Sequence, residues 1–133
     1  MLHSALSKEI IQSFYKVYNA LGYGFLEKVY ENAMMIEFRK RGLFAEQQKK
    51  IWVHYEEEVV GDYYADIIVE NKVILELKAS KELCEDHENQ LLNYLKATDK
   101  ELGFLLNYGK DPEFVRKIFS NQRKEWWISG GYK

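Results

Sequence analysis

The chain has 133 residues, with 19 basic and 21 acidic side chains and a formal net charge of −2. That length holds one ordinary domain over 1–133, and 47% hydrophobic residues give enough apolar surface to fold it. The balanced charge excludes a polybasic coat for nucleic acid, so any such contact falls to a local patch.

Cys84 is the single cysteine, which excludes an intrachain disulfide and a cysteine zinc cage and points to a reducing cytoplasm. Residues 1–8 lack the apolar centre of a signal peptide, and no run approaches the roughly 18 apolar residues of a membrane span. The expectation is a cytoplasmic protein with no membrane association.

Ile10, Ile11, Phe14, Val17, Tyr18 and Leu21 form a helical stripe, with Ser7 as its expected N-cap, and Gly22 and Gly24 break the helix. A second stripe of Leu26, Val29, Tyr30, Ala33, Met35 and Ile36 runs to Gly42, which suits a left-handed C-terminal cap. From Phe44 the pattern turns to β: 46–55, 59–69 and 73–78, joined by the polar breaks 56–58 and 70–72 as antiparallel hairpins. Helical spacing returns over 83–98. The apolar run 102–108 suits a buried strand reached by a helical crossover, and 114–119 alternates weakly as one more strand. Trp126-Trp127 and Gly130-Gly131 have no clear element. The order α, three β, α, β predicts an α/β fold with a mixed central sheet flanked by helices.

The chemistry centres on Asp66 and on Glu76-Leu77-Lys78. Ile74, Glu76 and Lys78 share one strand face, so a carboxylate and an amine lie side by side. With 70–72 as the loop and Val69 opposite Val73, Asp66 falls opposite Glu76. Opposed like charges are unfavourable in a sheet unless something positive lies between them. Magnesium takes oxygen ligands and keeps several waters, so two carboxylates with a backbone carbonyl, that of Leu77, make a suitable open site. The same spacing also describes a solvated strand face on which Glu76 and Lys78 form a weak surface ion pair.

Flanking residues bear on that choice. Gly24, Glu27 and Tyr30 make a G-x-x-E-x-x-Y motif, Tyr64 to Val69 surrounds Asp66, Glu76-Leu77-Lys78-Ala79 follows, and His87 to Lys96 carries Gln90 and Tyr94 four apart. Over roughly 10–108 these blocks resemble the PD-(D/E)XK nuclease superfamily, and within it the small GxxExxY proteins. One departure is Ala65, which stands where the superfamily is named for proline; that proline performs no chemistry.

The resemblance implies a restriction-endonuclease-like core and a magnesium-dependent deoxyribonuclease, with manganese as a substitute ion. Its partners would be DNA and either a second copy or a larger complex. Asp66 and Glu76 would be direct metal ligands, Glu27 a ligand directly or through water, and Lys78 the group that orients or deprotonates the attacking water. Gln90 and Tyr94 would support the lysine and approach the substrate backbone. The competing reading is a binding module that keeps the fold without turnover; the presence of Glu27, Asp66, Glu76 and Lys78 together argues against a decayed site.

Other features have plainer readings beside the functional ones. His87 and Glu88 begin a zinc-protease pattern that fails at Leu91, and His87 either lines the cleft or caps its helix. Tyr30 either bonds near the site or packs in the core. The stretch from Lys110 to Trp127, with Arg116, Lys117, Arg123 and Lys124, either tracks a nucleic-acid backbone or forms a solvated face with aromatics closing the core.

Overall fold

A computed structural model describes residues 1–130. Two helices open the chain, α1 (Ser4–Leu21) and α2 (Glu27–Lys40). Three strands follow, β1 (Ala45–Tyr55), β2 (Glu58–Val69) and β3 (Val73–Lys78), then α3 (Glu85–Ala97), β4 (Leu102–Asn107) and β5 (Glu113–Ile118). A short 3₁₀ turn at Asn121–Arg123 and α4 (Glu125–Ile128) contain the tryptophans that the sequence left unplaced, while Gly131 lies outside the described residues.

The five strands form one sheet in the order β1-β2-β3-β4-β5. All neighbours pair antiparallel except β3 and β4, which run parallel because α3 carries the chain across between them. The two hairpins turn as primed turns require: Glu56 and Glu57 have φ 47 and 71, Glu70 and Asn71 φ 52 and 54. Glu58 belongs to β2 and not to the loop, since Tyr55 pairs with it directly.

Helices α1 and α2 cover one face through Phe14, Tyr30, Met34, Phe38, Leu75, Leu77 and Phe104, while α3 covers the other through Ile68, Ile74, Leu91, Tyr94, Leu95 and Leu105. β3 and β4 therefore lie in the middle with both faces covered. Every residue from Val73 to Leu77 and from Leu102 to Asn107 is buried. A carboxylate on β3 is thereby removed from water by position alone.

Three local expectations change. α1 starts at Ser4, so Ser7 is a buried helix-interior residue whose amide bonds the carbonyl of His3. In α2 the buried face is Tyr30, Glu31, Met34, Glu37 and Phe38, whereas Leu26, Val29 and Ile36 of the anticipated stripe are exposed. Salt bridges to Lys28, Lys16 and Arg41 compensate the two buried glutamates. The basic C-terminal stretch is dispersed: Lys117 pairs with Glu88, Arg123 lies over the Phe119 ring, and Lys124 is buried. The Lys124 ammonium donates to the carbonyls of Thr98 and Lys100 and to Asn121 Oδ1, tying the C-terminal turn to the α3–β4 corner. Among the described residues no helix is long and apolar enough to cross a membrane.

Candidate active site

The β2–β3 ladder runs Val69↔Val73, Ile68↔Ile74, Ile67↔Leu75 and then stops. Past that point the backbones exchange bonds with side chains. The Asp66 amide donates to Glu76 Oε1 at 3.1 Å, and the Leu77 amide donates to Asp66 Oδ2 at 2.8 Å. The two carboxylates are thus inserted where the next ladder bonds would lie. The β1 partner strand is irregular at the same level, where Gln48 adopts φ 52 and its side-chain amide reaches Asp66 Oδ1 at 3.4 Å.

Glu76 is only 3% exposed, which removes the solvated-face reading of its strand. Burial, followed by the charge of Asp66, pushes its carboxyl up to about 8; the Asp66 amide and Lys78 pull the other way, and Glu31 adds to the rise. Asp66 is raised as well, chiefly by burial, with the Leu77 amide opposing and Glu31 adding. Lys78 is half-buried on β3 and lowers both carboxyls by its charge.

From α2, the carboxylate linked to this pair is Glu31, one turn beyond Glu27. It is 4% exposed and accepts hydrogen bonds from Lys28 at 2.8 Å, Gln47 at 2.7 Å and Gln48 at 2.9 Å. Gln48 therefore bridges Glu31 and Asp66. Glu27 stands exposed at the first position of α2. Sequence reading missed Glu31 and Gln48 because hydrophobic spacing placed the buried face of α2 elsewhere; the signal available was that Glu31 shares a stripe with Tyr30, Met34 and Phe38.

Across the sheet, Gln90 Nε2 donates to the Tyr94 hydroxyl at 2.9 Å. Burial and then the charge of Glu76 push Tyr94 up to about 12, placing its hydroxyl within the field of the acidic pair. His87 Nδ1 accepts from the Cys84 amide while the Cys84 side chain accepts from the His87 amide, so His87 caps α3, and its ring also lines the neighbouring cleft. Tyr30 is buried, stacks on Tyr108 at 4.3 Å, and donates to the Gly22 carbonyl at 2.7 Å, pinning the α1–α2 loop.

A further missed residue is Asn107, fully buried at the end of β4. Its side-chain amide accepts from the Ser80 amide at 2.9 Å and donates to the Ser80 carbonyl at 3.0 Å, extending the strand pairing past Lys78.

The donor set fits a hard divalent cation. Two carboxylates share a desolvated corner, burial raises both, and the charge of Asp66 further holds back the ionisation of Glu76, which is the situation a cation relieves. Among the described residues no three Asp, Glu, His or Cys side chains gather as a metal cluster, so the acidic contribution is the Asp66–Glu76 pair, with Glu31 behind Gln48. An ion that keeps several waters needs no more than this.

Comparison with solved structures finds one described as "Crystal structure of SSO0001", with a TM-score of 0.59 at 19% identity. The alignment covers 89% of this chain and 60% of that one, so this chain spans less than two thirds of its length. The likeness confirms the restriction-endonuclease-like α/β fold. No curated protein matches the chain. The model of the PD-(D/E)XK nuclease superfamily, whose members generally use divalent metal ions, matches residues 4–118. With its acidic pair and lysine on neighbouring central strands of a mixed sheet, this chain belongs to the PD-(D/E)XK nuclease superfamily.

Proposed function

We propose that the chain is a single-domain, cytoplasmic nuclease of the GxxExxY type that hydrolyses phosphodiester bonds in DNA, using Mg²⁺ or, in its place, Mn²⁺. The observation that carries this reading is the Asp66–Glu76 pair, with Glu76 buried and Asp66 partly so, wedged between strands and flanked by Lys78. Asp66, Glu76 and the Leu77 carbonyl would hold the ion, with Glu31 or Glu27 assisting through water. When bound, such an ion supplies charge to offset that on the phosphate and acidifies a coordinated water.

The chain's own groups do the rest. Lys78 orients the attacking water and stabilises negative charge on the phosphate. Tyr94, kept protonated by its buried setting and fixed by Gln90, donates to the substrate backbone. Asn107 holds the strand end beyond Lys78 in line.

A non-catalytic nucleic-acid- or protein-binding module is the second reading, favoured by the lack of a third acidic ligand beside the pair among the described residues. The deciding experiment is incubation of labelled single-stranded DNA, duplex DNA and RNA with wild type and Asp66→Asn in Mg²⁺, Mn²⁺ and EDTA. Metal-dependent cleavage by wild type alone supports the nuclease; metal binding without cleavage transfers the assignment to the module.

A further inference from the structure

A cleft of about 680 Å³ lies between the β1–β2 hairpin, α3 and the start of α4. Its size is within the roughly 300–1,000 Å³ of sites that enclose a small organic group. Two kinds of side chain dominate its walls, beside the histidines His54 and His87 and the charged Asp86 and Lys96. Tyr63, Tyr94 and Trp126 supply aromatic surface, and Asn89, Gln90 and Asn93 supply amides from one side of α3. Position explains the amides: residues three and four apart on a helix line one groove.

Aromatic faces with neighbouring carboxamides match the chemistry of a nucleobase. Every base has a π-face that stacks on an aromatic ring, and its edge carries donors and acceptors that an amide can meet with either end. Tyr63 is half exposed, with its ring 5.6 Å from that of Tyr94, so aromatic surface continues from the buried wall to the rim. The Trp126 indole N–H donates to the Lys96 carbonyl at 2.8 Å, which fixes the ring as part of the wall.

The cleft also approaches the proposed reaction centre. Tyr94 and Gln90 line it, and Tyr94 packs in one cluster with Ala65, Ile68 and Ile74, which flank Asp66 and Glu76 along β2 and β3. A base seated here belongs to a nucleotide close to the phosphate at the acidic pair. A base in a duplex cannot enter without leaving its stack and its partner, at a cost of a few kcal/mol.

We infer that this cleft is a nucleobase pocket, and that the chain selects nucleic acid with an unpaired nucleotide next to the phosphate it acts on. The inference deepens the nuclease reading and rests on it for the role of that phosphate. A pocket that shares Tyr94 with the surroundings of the pair makes single-stranded, frayed or flapped strands the substrate class.

The test is binding in EDTA, where turnover is absent, using a fluorescein-labelled single-stranded DNA, the blunt duplex of the same sequence, and the same single strand with abasic sites. The expected result is single-strand binding about tenfold tighter than either competitor. The Tyr63→Ala, Asn93→Ala double variant should lose about tenfold in single-strand affinity while keeping the wild-type melting temperature and calorimetric Mn²⁺ binding; Tyr63→Phe should restore most of the loss. Equal binding of duplex and single strand, or of intact and abasic strand, overturns the pocket, as does a double variant that binds like wild type. The two readings fail separately: base-dependent binding with no metal-dependent cleavage sinks the nuclease and keeps the pocket, whereas cleavage with no base dependence does the reverse.

Discussion

Asp66 and Glu76 each take a hydrogen bond from the other's strand: Glu76 Oε1 from the Asp66 amide at 3.1 Å, and Asp66 Oδ2 from the Leu77 amide, next to Glu76, at 2.8 Å. Two acids are thereby fixed in a covered part of the sheet before any ion arrives. Backbone dipoles offset part of their desolvation, and the remaining penalty appears in the raised carboxyl of Glu76.

A divalent ion should therefore stabilise the protein. Mg²⁺ or Mn²⁺ at a hundredfold excess over its Kd is worth about 2.7 kcal/mol, read as a rise in melting temperature. Asp66→Asn combined with Glu76→Gln should abolish the rise. Because the substituted amides keep an acceptor oxygen for each backbone N–H, the metal-free variant should stay within about 1 kcal/mol of wild type. An equal metal shift in both proteins would place the ion elsewhere.

Without metal, stability should depend on pH through Glu76. Its folded-state value of about 8 lies above the ordinary 4.5, so between these values the folded protein binds a proton that the unfolded chain releases. The contribution is complete below about pH 4.5 and is lost as pH rises through about 8. Thermal melts in EDTA across that range should show this fall, and Glu76→Gln should flatten it. Mn²⁺ affinity should move the opposite way, increasing towards pH 8 as the site ionises.

Lys78 should separate binding from turnover. Lys78→Ala keeps both carboxylates and is expected to retain calorimetric Mn²⁺ binding, yet to lose DNA cleavage by on the order of 10²-fold or more. Glu76→Ala should lose both. Equal cleavage by wild type and Lys78→Ala would remove the lysine from the mechanism.

On α2, Glu31 and Glu27 should differ. Glu31 reaches the pair through Gln48, whereas Glu27 is exposed, so Glu31→Gln should weaken Mn²⁺ binding more than Glu27→Gln. Removing the Glu31 charge should also lower the pH midpoint of the metal-free melting curve, since that charge adds to the rise of both Asp66 and Glu76. A larger loss of metal affinity in Glu27→Gln would favour the assignment made from the motif.

Element order and strand register were legible because they follow from periodicity and turn chemistry, which are local. Val69 opposite Val73 was enough to bring Asp66 to Glu76. The inner face of α2 was not legible, because Glu31 and Glu37 are buried by partners distant in sequence, among them Gln47 and Gln48 from β1 and Lys16 from α1. A hydrophobic stripe cannot register a carboxylate whose burial is compensated by distant donors. Asn107 escaped for the same reason: its role is to complete a strand pairing with Ser80 that exists only after β4 has docked.

The parallel β3–β4 pair gives the site an order of assembly. β1, β2 and β3 form a meander of tight hairpins, so Asp66 and Glu76 meet through contacts close in sequence, and such contacts form early. Gln90, Tyr94 and Asn107 arrive only when the α3 crossover closes its longer loop, a step that must meet its entropic cost before the strands pair. A chain folding in this order should bring the acidic pair together on a sheet that still lacks its far half. The covered setting that raises Glu76, and the cleft beside it, come into being only after Asn107 has left the ribosome.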